Sequence, residues 1–175
     1  MSAPFTDPIA EARQNWRDGG WSDAADAMAA VTSIFRVQQI ILAQIDTALR
    51  PHGLSFARFE LLRLLGFSRD HRLPMSRARG VLQVHPASIS SVADRLATDG
   101  LVTREPDRDD GRAVVLALTA AGRELLDTTT AVLNEQVFSV LDFDAAEVSA
   151  LNTVLAGFRR RHGDFVDPPA QPAPW

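Results

Sequence analysis

Cysteine is absent from the 175 residues, which excludes disulfide staples, thiolate zinc sites and thiol redox sensing. Lysine is absent as well, so every basic side chain apart from four histidines is an arginine. No uninterrupted apolar run approaches the roughly 18 residues that a membrane span needs. The start of the chain has no basic segment followed by an apolar core, so a secretory signal is not expected either. The expected compartment is the cytoplasm. Paired carboxylates, a nucleophile beside a base, a glycine-rich phosphate loop and a metal set are all missing at helical or loop spacing, so an enzyme is not expected. Histidines 52, 71, 85 and 162 are scattered without metal-ligand spacing. Neither a metal nor a cofactor is expected.

What is present is an ordinary globular composition, 46% hydrophobic and 23% charged. The net charge of −4 looks wrong for a nucleic-acid binder until it is resolved by segment. From Arg50 to Arg112 there are eleven arginines against eight acids, a balance of +3. The remainder holds seven arginines against fourteen acids, a balance of −7. A basic centre between acidic flanks suits one anion-facing surface, and arginine supplies bidentate donors for phosphates and guanine edges.

The periodicity predicts a mainly α chain with a small β-hairpin. Residues 1–21 form an N-terminal extension, with a short helix over Pro8–Asp18 closed by Gly19-Gly20. Ser22 is placed to cap a long helix over 22–50, whose apolar positions occupy more than one side. Such a helix is expected to lie between partners, here as a dimerisation helix. Residues 55–118 read as a helix capped by Ser55, a polar turn at Arg69–Arg72, a helix from about Ser76 to Leu82, a tight connection at Gln83-Val84-His85, and a helix from Pro86 to Asp99. Gly100 stops that helix. Two β-rich runs follow, Leu101–Glu105 and Arg112–Leu118, around a polar tip. Over 119–162, Thr119 caps a helix predicted to reach Leu141, and Asp144 with Glu147 makes a capping-box pair for a last helix. Residues 163–175 form a proline-rich tail expected to be disordered.

Helix, tight turn, helix, hairpin is the order of a winged helix-turn-helix. In the helix from Pro86, Ile89, Val92, Ala93 and Leu96 share one side and are expected to pack inward. Ser88, Ser91 and Arg95 share the opposite side, with Ser90 beside them, and Ala87 is small enough to let bases approach. Small hydroxyls with one arginine suit insertion into a major groove. They also suit a solvated helix face. Arg104, Arg108 and Arg112 lie in or beside the hairpin, interleaved with Asp107, Asp109 and Asp110. A carboxylate two residues from an arginine can hold its guanidinium extended toward a minor groove. A calcium loop does not fit, because counting from Asp107 puts Gly111 and Leu118 where ligands are needed.

The stretches VHPASISSVADRLATDGLVTRE, from Val84 to Glu105, and DRDDGRAVVLALTAAGRELL, from Asp107 to Leu126, resemble the DNA-binding lobe of the MarR (multiple antibiotic resistance regulator) family. Asp110 with Arg112 matches that family's Asp-x-Arg wing pattern, and Leu118, Thr119 and Gly122 match its Leu-Thr-x-x-Gly. The resemblance implies a homodimer held by its N- and C-terminal helices, a pseudo-palindromic double-stranded DNA operator, and repression relieved by a small ligand. By the same resemblance Arg112 enters the minor groove, steadied by Asp110. The implied DNA contacts are therefore Pro86, Ala87, Ser88, Ser90, Ser91, Arg95, Arg104, Arg108, Asp110 and Arg112. Two residues depart from the pattern. Ala78 and Gly80 stand in the helix before the turn where a larger apolar residue and a better helix former are expected, so a mobile or short helix is predicted there.

The effector pocket that the resemblance implies could draw on Trp16, Trp21, Phe35, Phe56, Phe59, Arg63 and His71. Aromatics with one or two cations suit a small organic anion, although the phenylalanines equally suit a core. Set against a ligand-responsive repressor is a winged-helix protein-interaction module without DNA binding, which is consistent with the net negative charge but opposed by the presence of Arg95, Arg104 and Arg112.

Overall fold

The computed structural model describes residues 6–82, 86–107 and 113–165. Gln83-Val84-His85, the hairpin tip and the tail from residue 166 onward lie outside the described residues, whereas Asp164, at the start of the expected tail, pairs with Arg159. The chain divides into two compact units, one up to Thr47 and one from Ala48.

The first unit holds α1 (Pro8–Asp18) and most of α2 (Ser22–Leu49). Asp7 caps α1, its carboxylate accepting the Ile9 N–H at 2.9 Å, and Pro8 occupies a first-turn position where no N–H is needed. The turn between the helices uses Gly20 at φ 89°, a conformation that costs glycine little. It also folds the Trp21 ring over Gly19, where a Cβ would stand 3.0 Å from the indole. Arg17 closes the corner, 2.8 Å from Asp26. Ser22 is the first residue of α2 rather than its cap, and its hydroxyl lies 3.5 Å from the Arg17 carbonyl.

Along α2, Val31, Ile34, Phe35, Val37 and Ile40 are exposed. With the turn that follows it, Ser22–His52 is long and apolar enough to cross a membrane by length and composition, with a mean hydropathy of 1.3 in its richest window. Polar residues such as Gln38 and Gln39 interrupt the apolar run without lowering its average much.

In the second unit α3 (Phe56–Phe67) buries Phe59, Leu61, Leu62 and Leu65. Ser55 stands at its N-cap position without a side-chain hydrogen bond to the helix. A strand that periodicity did not predict follows: β1 (Arg72–Pro74). Three residues carry no alternation signal, and a proline is tolerated on an edge strand because its missing N–H need not serve the ladder. β1 pairs antiparallel with β3 (Val114–Leu118), and β3 pairs antiparallel with β2 (Val102–Pro106), giving the order β1-β3-β2. Val115, Leu116, Ala117 and Leu118 are all buried, so the central strand is apolar on both faces.

Between β1 and β2 lie α4 (Met75–Val81) and α5 (Pro86–Thr98). Ile89, Ala93 and Leu96 are fully buried, so the apolar side of α5 faces the core as its spacing predicts, while Val92 is half-buried. Burying Ile89 and Leu96 contributes about 1.5–3 kcal/mol each. Ala78 is fully buried on α4, which explains a small side chain there. Gly80 is different: a Cβ would meet nothing within 4 Å.

Thr119 caps α6 (Ala120–Gln136), its hydroxyl accepting the Gly122 N–H at 3.0 Å. The helix stops five residues short of Leu141. Val137 leaves the helical region at φ −126°, ψ −64° and is almost fully buried, and a 3-10 turn takes over at Phe138–Val140. The apolar spacing continues through this break, which is why it read as one helix. Asp144 and Glu147 form the expected capping box on α7 (Ala145–Arg161), with bonds of 2.8 and 2.9 Å. Leu151, Val154, Leu155 and Phe158 of α7 are exposed.

Candidate nucleic-acid interface

The exposed side of α5 carries Ser91 and Arg95, with Ser90 half-buried at its edge and Asp94 exposed beside it. The side chains of Pro86, Ala87 and Ser88 lie outside the described residues, as do Arg108, Asp110 and Arg112. What the structure places around α5 is a set of arginines reaching it from three other elements. Arg79 of α4 donates from Nη2 to Ser90 Oγ at 3.0 Å. Arg104 of β2 sets Nη1 2.8 Å from Asp94 Oδ1. Arg58 of α3 bonds Asp99 at the end of α5 and the Gly53 carbonyl, the latter at 2.8 Å. A fourth pair, Arg72 with Glu105 at 2.6 Å, ties β1 to β2 across the sheet.

These pairs sort the positive charge of the lobe. Arg58, Arg72 and Arg104 each face a carboxylate, so each is neutralised where it stands. Arg95 is exposed without an ion pair among the described residues, and Arg79 is held by a neutral hydroxyl. Arg79 and Arg95 are therefore two described arginines of this surface whose charge is available to a phosphate or a guanine edge. Arg104, expected as a contact, braces the sheet against α5. As a half-exposed pair it is worth about 0–1 kcal/mol. Arg79 was not among the residues expected from the sequence, whose contact pattern is carried by the second helix and the hairpin. Two arginines on the short helix before the turn, Arg77 and Arg79, were the available signal, since the first helix of such a motif crosses the DNA backbone.

The wing is anchored at its base. The Thr119 hydroxyl donates toward the Gly100 and Leu101 carbonyls, at 2.9 and 3.1 Å, and its backbone N–H donates to Leu101 at 3.1 Å. Toward the tip, the Asp107 N–H donates to the Ala113 carbonyl at 2.9 Å.

The MarR family's sequence model matches residues 52–113. Sco5413, a MarR family transcriptional regulator from Streptomyces coelicolor, shares 39% of its sequence with the chain and superposes with a TM-score of 0.73, over 81% of this chain and 99% of that one. The chain belongs to the MarR family. The MarR-family fold also appears in a mutant MarR from E. coli complexed with operator DNA, at a TM-score of 0.68 and 21% identity over 77% of this chain and 96% of that one. The HTH-type transcriptional repressor YetL of Bacillus subtilis is 30% identical over 95 residues, 54% of this chain. The match spans 57% of that repressor's length.

For this MarR family member the candidate effector residues fall in both units. Trp16 and Trp21 pack ring to ring at 5.3 Å in the first, where Phe35 is exposed. In the second, Phe59 is buried in the core with the Phe56 ring 6.4 Å away. Arg63 and His71 converge on Gly66. His71 Nδ1 lies 3.2 Å from the Gly66 carbonyl, and a Cβ on Gly66 would stand 2.7 Å from Arg63 Nη2. Arg63 also donates to Thr130 Oγ1 at 3.2 Å and lies 4.2 Å above the Phe67 ring.

Proposed function

We propose that this chain is a homodimeric, sequence-specific repressor that binds a pseudo-palindromic double-stranded DNA operator in the cytoplasm and leaves it when a small organic anion binds. The observation that carries the reading is the exposed side of α5, where Ser91 and Arg95 stand clear of the core and the un-neutralised Arg79 flanks Ser90 at 3.0 Å. Serine hydroxyls and one arginine can read base edges, and the flanking arginine can hold a phosphate. The resemblance adds Pro86, Ala87, Ser88, Arg108, Asp110 and Arg112 to the contacts. The apolar stripes that α2 and α7 each leave exposed are the surfaces a second copy would cover. Trp16, Trp21, Phe35, Phe56, Phe59, Arg63 and His71 are the proposed source of the effector contacts.

Sequencing the DNA fragments retained by the purified protein tests the reading, followed by gel shifts on the selected sequence at two salt concentrations. Binding is expected to prefer a palindromic site and to weaken steeply with salt as counterions are released. Retention of no preferred sequence sinks the proposal. A protein captured instead, with no DNA, would favour the winged-helix interaction module. A thermal-shift screen of small aromatic carboxylates then tests the effector: a compound that raises the melting temperature and releases the operator is the expected result.

A further inference from the structure

Ser90 and Asp94 lie four residues apart on α5 and are therefore neighbours along one ridge of the helix. Each is held by an arginine from a different element, Arg79 of α4 on Ser90 at 3.0 Å and Arg104 of β2 on Asp94 at 2.8 Å. The two grips differ in charge. A hydroxyl leaves the Arg79 guanidinium its full positive charge, whereas the Asp94 carboxylate cancels that of Arg104. Both partners of the second pair are solvent-accessible, at 37% for Arg104 and 60% for Asp94, so an incoming polyanion reaches them. Asp94 also precedes Arg95, the exposed arginine of the same helix. A carboxylate at the edge of a surface meant for DNA opposes every phosphate equally, whatever the base sequence.

We propose that Asp94 is a specificity-determining residue. By neutralising Arg104 at the edge of the reading helix it holds down attraction to DNA in general, and leaves discrimination to the side chains that face the bases. Sequence-blind affinity comes almost wholly from phosphate neutralisation, whereas base contacts supply the preference. Removing one effective positive charge from the surface therefore lowers the background more than the signal. This inference rests on the DNA-binding reading above, and its test is arranged so that the two can fail separately.

The variants are Asp94→Asn, which keeps the shape and an acceptor for Arg104 while removing the charge, Arg104→Gln, and the two combined. Each is compared with the full-length wild type for elution from heparin, for binding to mixed-sequence duplex DNA across a salt series, and for binding to the selected operator. Asp94→Asn is expected to elute from heparin at higher salt. Its binding to mixed-sequence DNA is expected to tighten about fivefold near physiological salt, with a salt slope steeper by about one unit. Operator binding is expected to gain less, so the ratio of specific to general affinity falls. In the Arg104→Gln background the same substitution is expected to leave the slope unchanged, because the charge it releases is gone.

An unchanged slope in Asp94→Asn overturns the proposal. So does an equal steepening with and without Arg104, which would make Asp94 act by its own charge alone. Weaker binding of Asp94→Asn to both DNAs also overturns it, since the pair would then serve only as a brace. If the wild type selects no sequence, the repressor reading fails, while the heparin comparison of the four proteins still decides whether Asp94 masks Arg104.

Discussion

Leu101 and Gly122 meet backbone to backbone at the base of the wing: a Cβ built on Gly122 would stand 2.1 Å from the Leu101 carbonyl oxygen. The same carbonyl accepts the Thr119 N–H at 3.1 Å, and Thr119 caps the helix that Gly122 belongs to. The Leu-Thr-x-x-Gly pattern is thus one device. The threonine hydroxyl stitches the start of α6 to the segment leading into β2, and the glycine lets the two backbones touch.

Gly122→Ala is accordingly expected to lower stability by about 3 kcal/mol, at the upper end of overpacking costs, because backbone on one side and a helix on the other leave little room to yield. Chemical denaturation measures it. A loss no larger than that of Gly157→Ala on α7, where a Cβ meets only an arginine tip at 3.4 Å, would show that the contact relaxes freely.

Gly80 should behave in the opposite way. It sits in α4 with open space where a Cβ would go, so Gly80→Ala loses unfolded-chain entropy without a clash. A gain of about 0.5–1 kcal/mol is expected, raising the melting temperature by roughly 1–4 °C for a chain of this size. An unchanged or lowered melting point would mean that the helix is limited by something other than its glycine.

Arg95→Ala should cost about 1–3 kcal/mol of operator affinity and relax the preference at one base pair. Arg112→Ala should weaken operator binding more than Arg159→Ala, because Arg159 is engaged with Asp164 at 2.6 Å at the end of α7. Equal affinities for the latter two variants would reject the wing assignment.

Glu60 is half-buried on α3, and desolvation lifts its pKa above the usual carboxylate value. A group whose pKa is raised by folding favours the folded state only while it is protonated. Stability from this position is therefore present in acid and lost as the pH rises through its folded pKa. Glu60→Gln should be more stable than the wild type at neutral pH, and the difference should vanish below the ordinary carboxylate range. Thermal melts at both pH values check it; a gap that persists in acid would assign the effect to packing.

Much of the local structure was legible in the chain because it is written in short-range chemistry. Asp144 with Glu147 makes both bonds of its capping box, Thr119 caps α6, and the spacing of Ile89, Ala93 and Leu96 marks the buried side of α5. What was not legible depends on partners distant in sequence. β1 exists because Leu73 finds Leu116 across the sheet, and three residues cannot announce that. α6 ends where Val137 turns into the core, a preference that helical periodicity does not record.

The reading surface divides along the same line. Composition and motif order were enough to place the basic centre in a winged helix-turn-helix, since period, caps and turn residues act within a few positions of one another. Counting arginines could not show which of them keep their charge. That was decided only when folding brought Asp94 to Arg104, Glu105 to Arg72 and Asp99 to Arg58, while Arg79 met a serine instead. A charge is a property of a residue, but its neutralisation is a property of a distance.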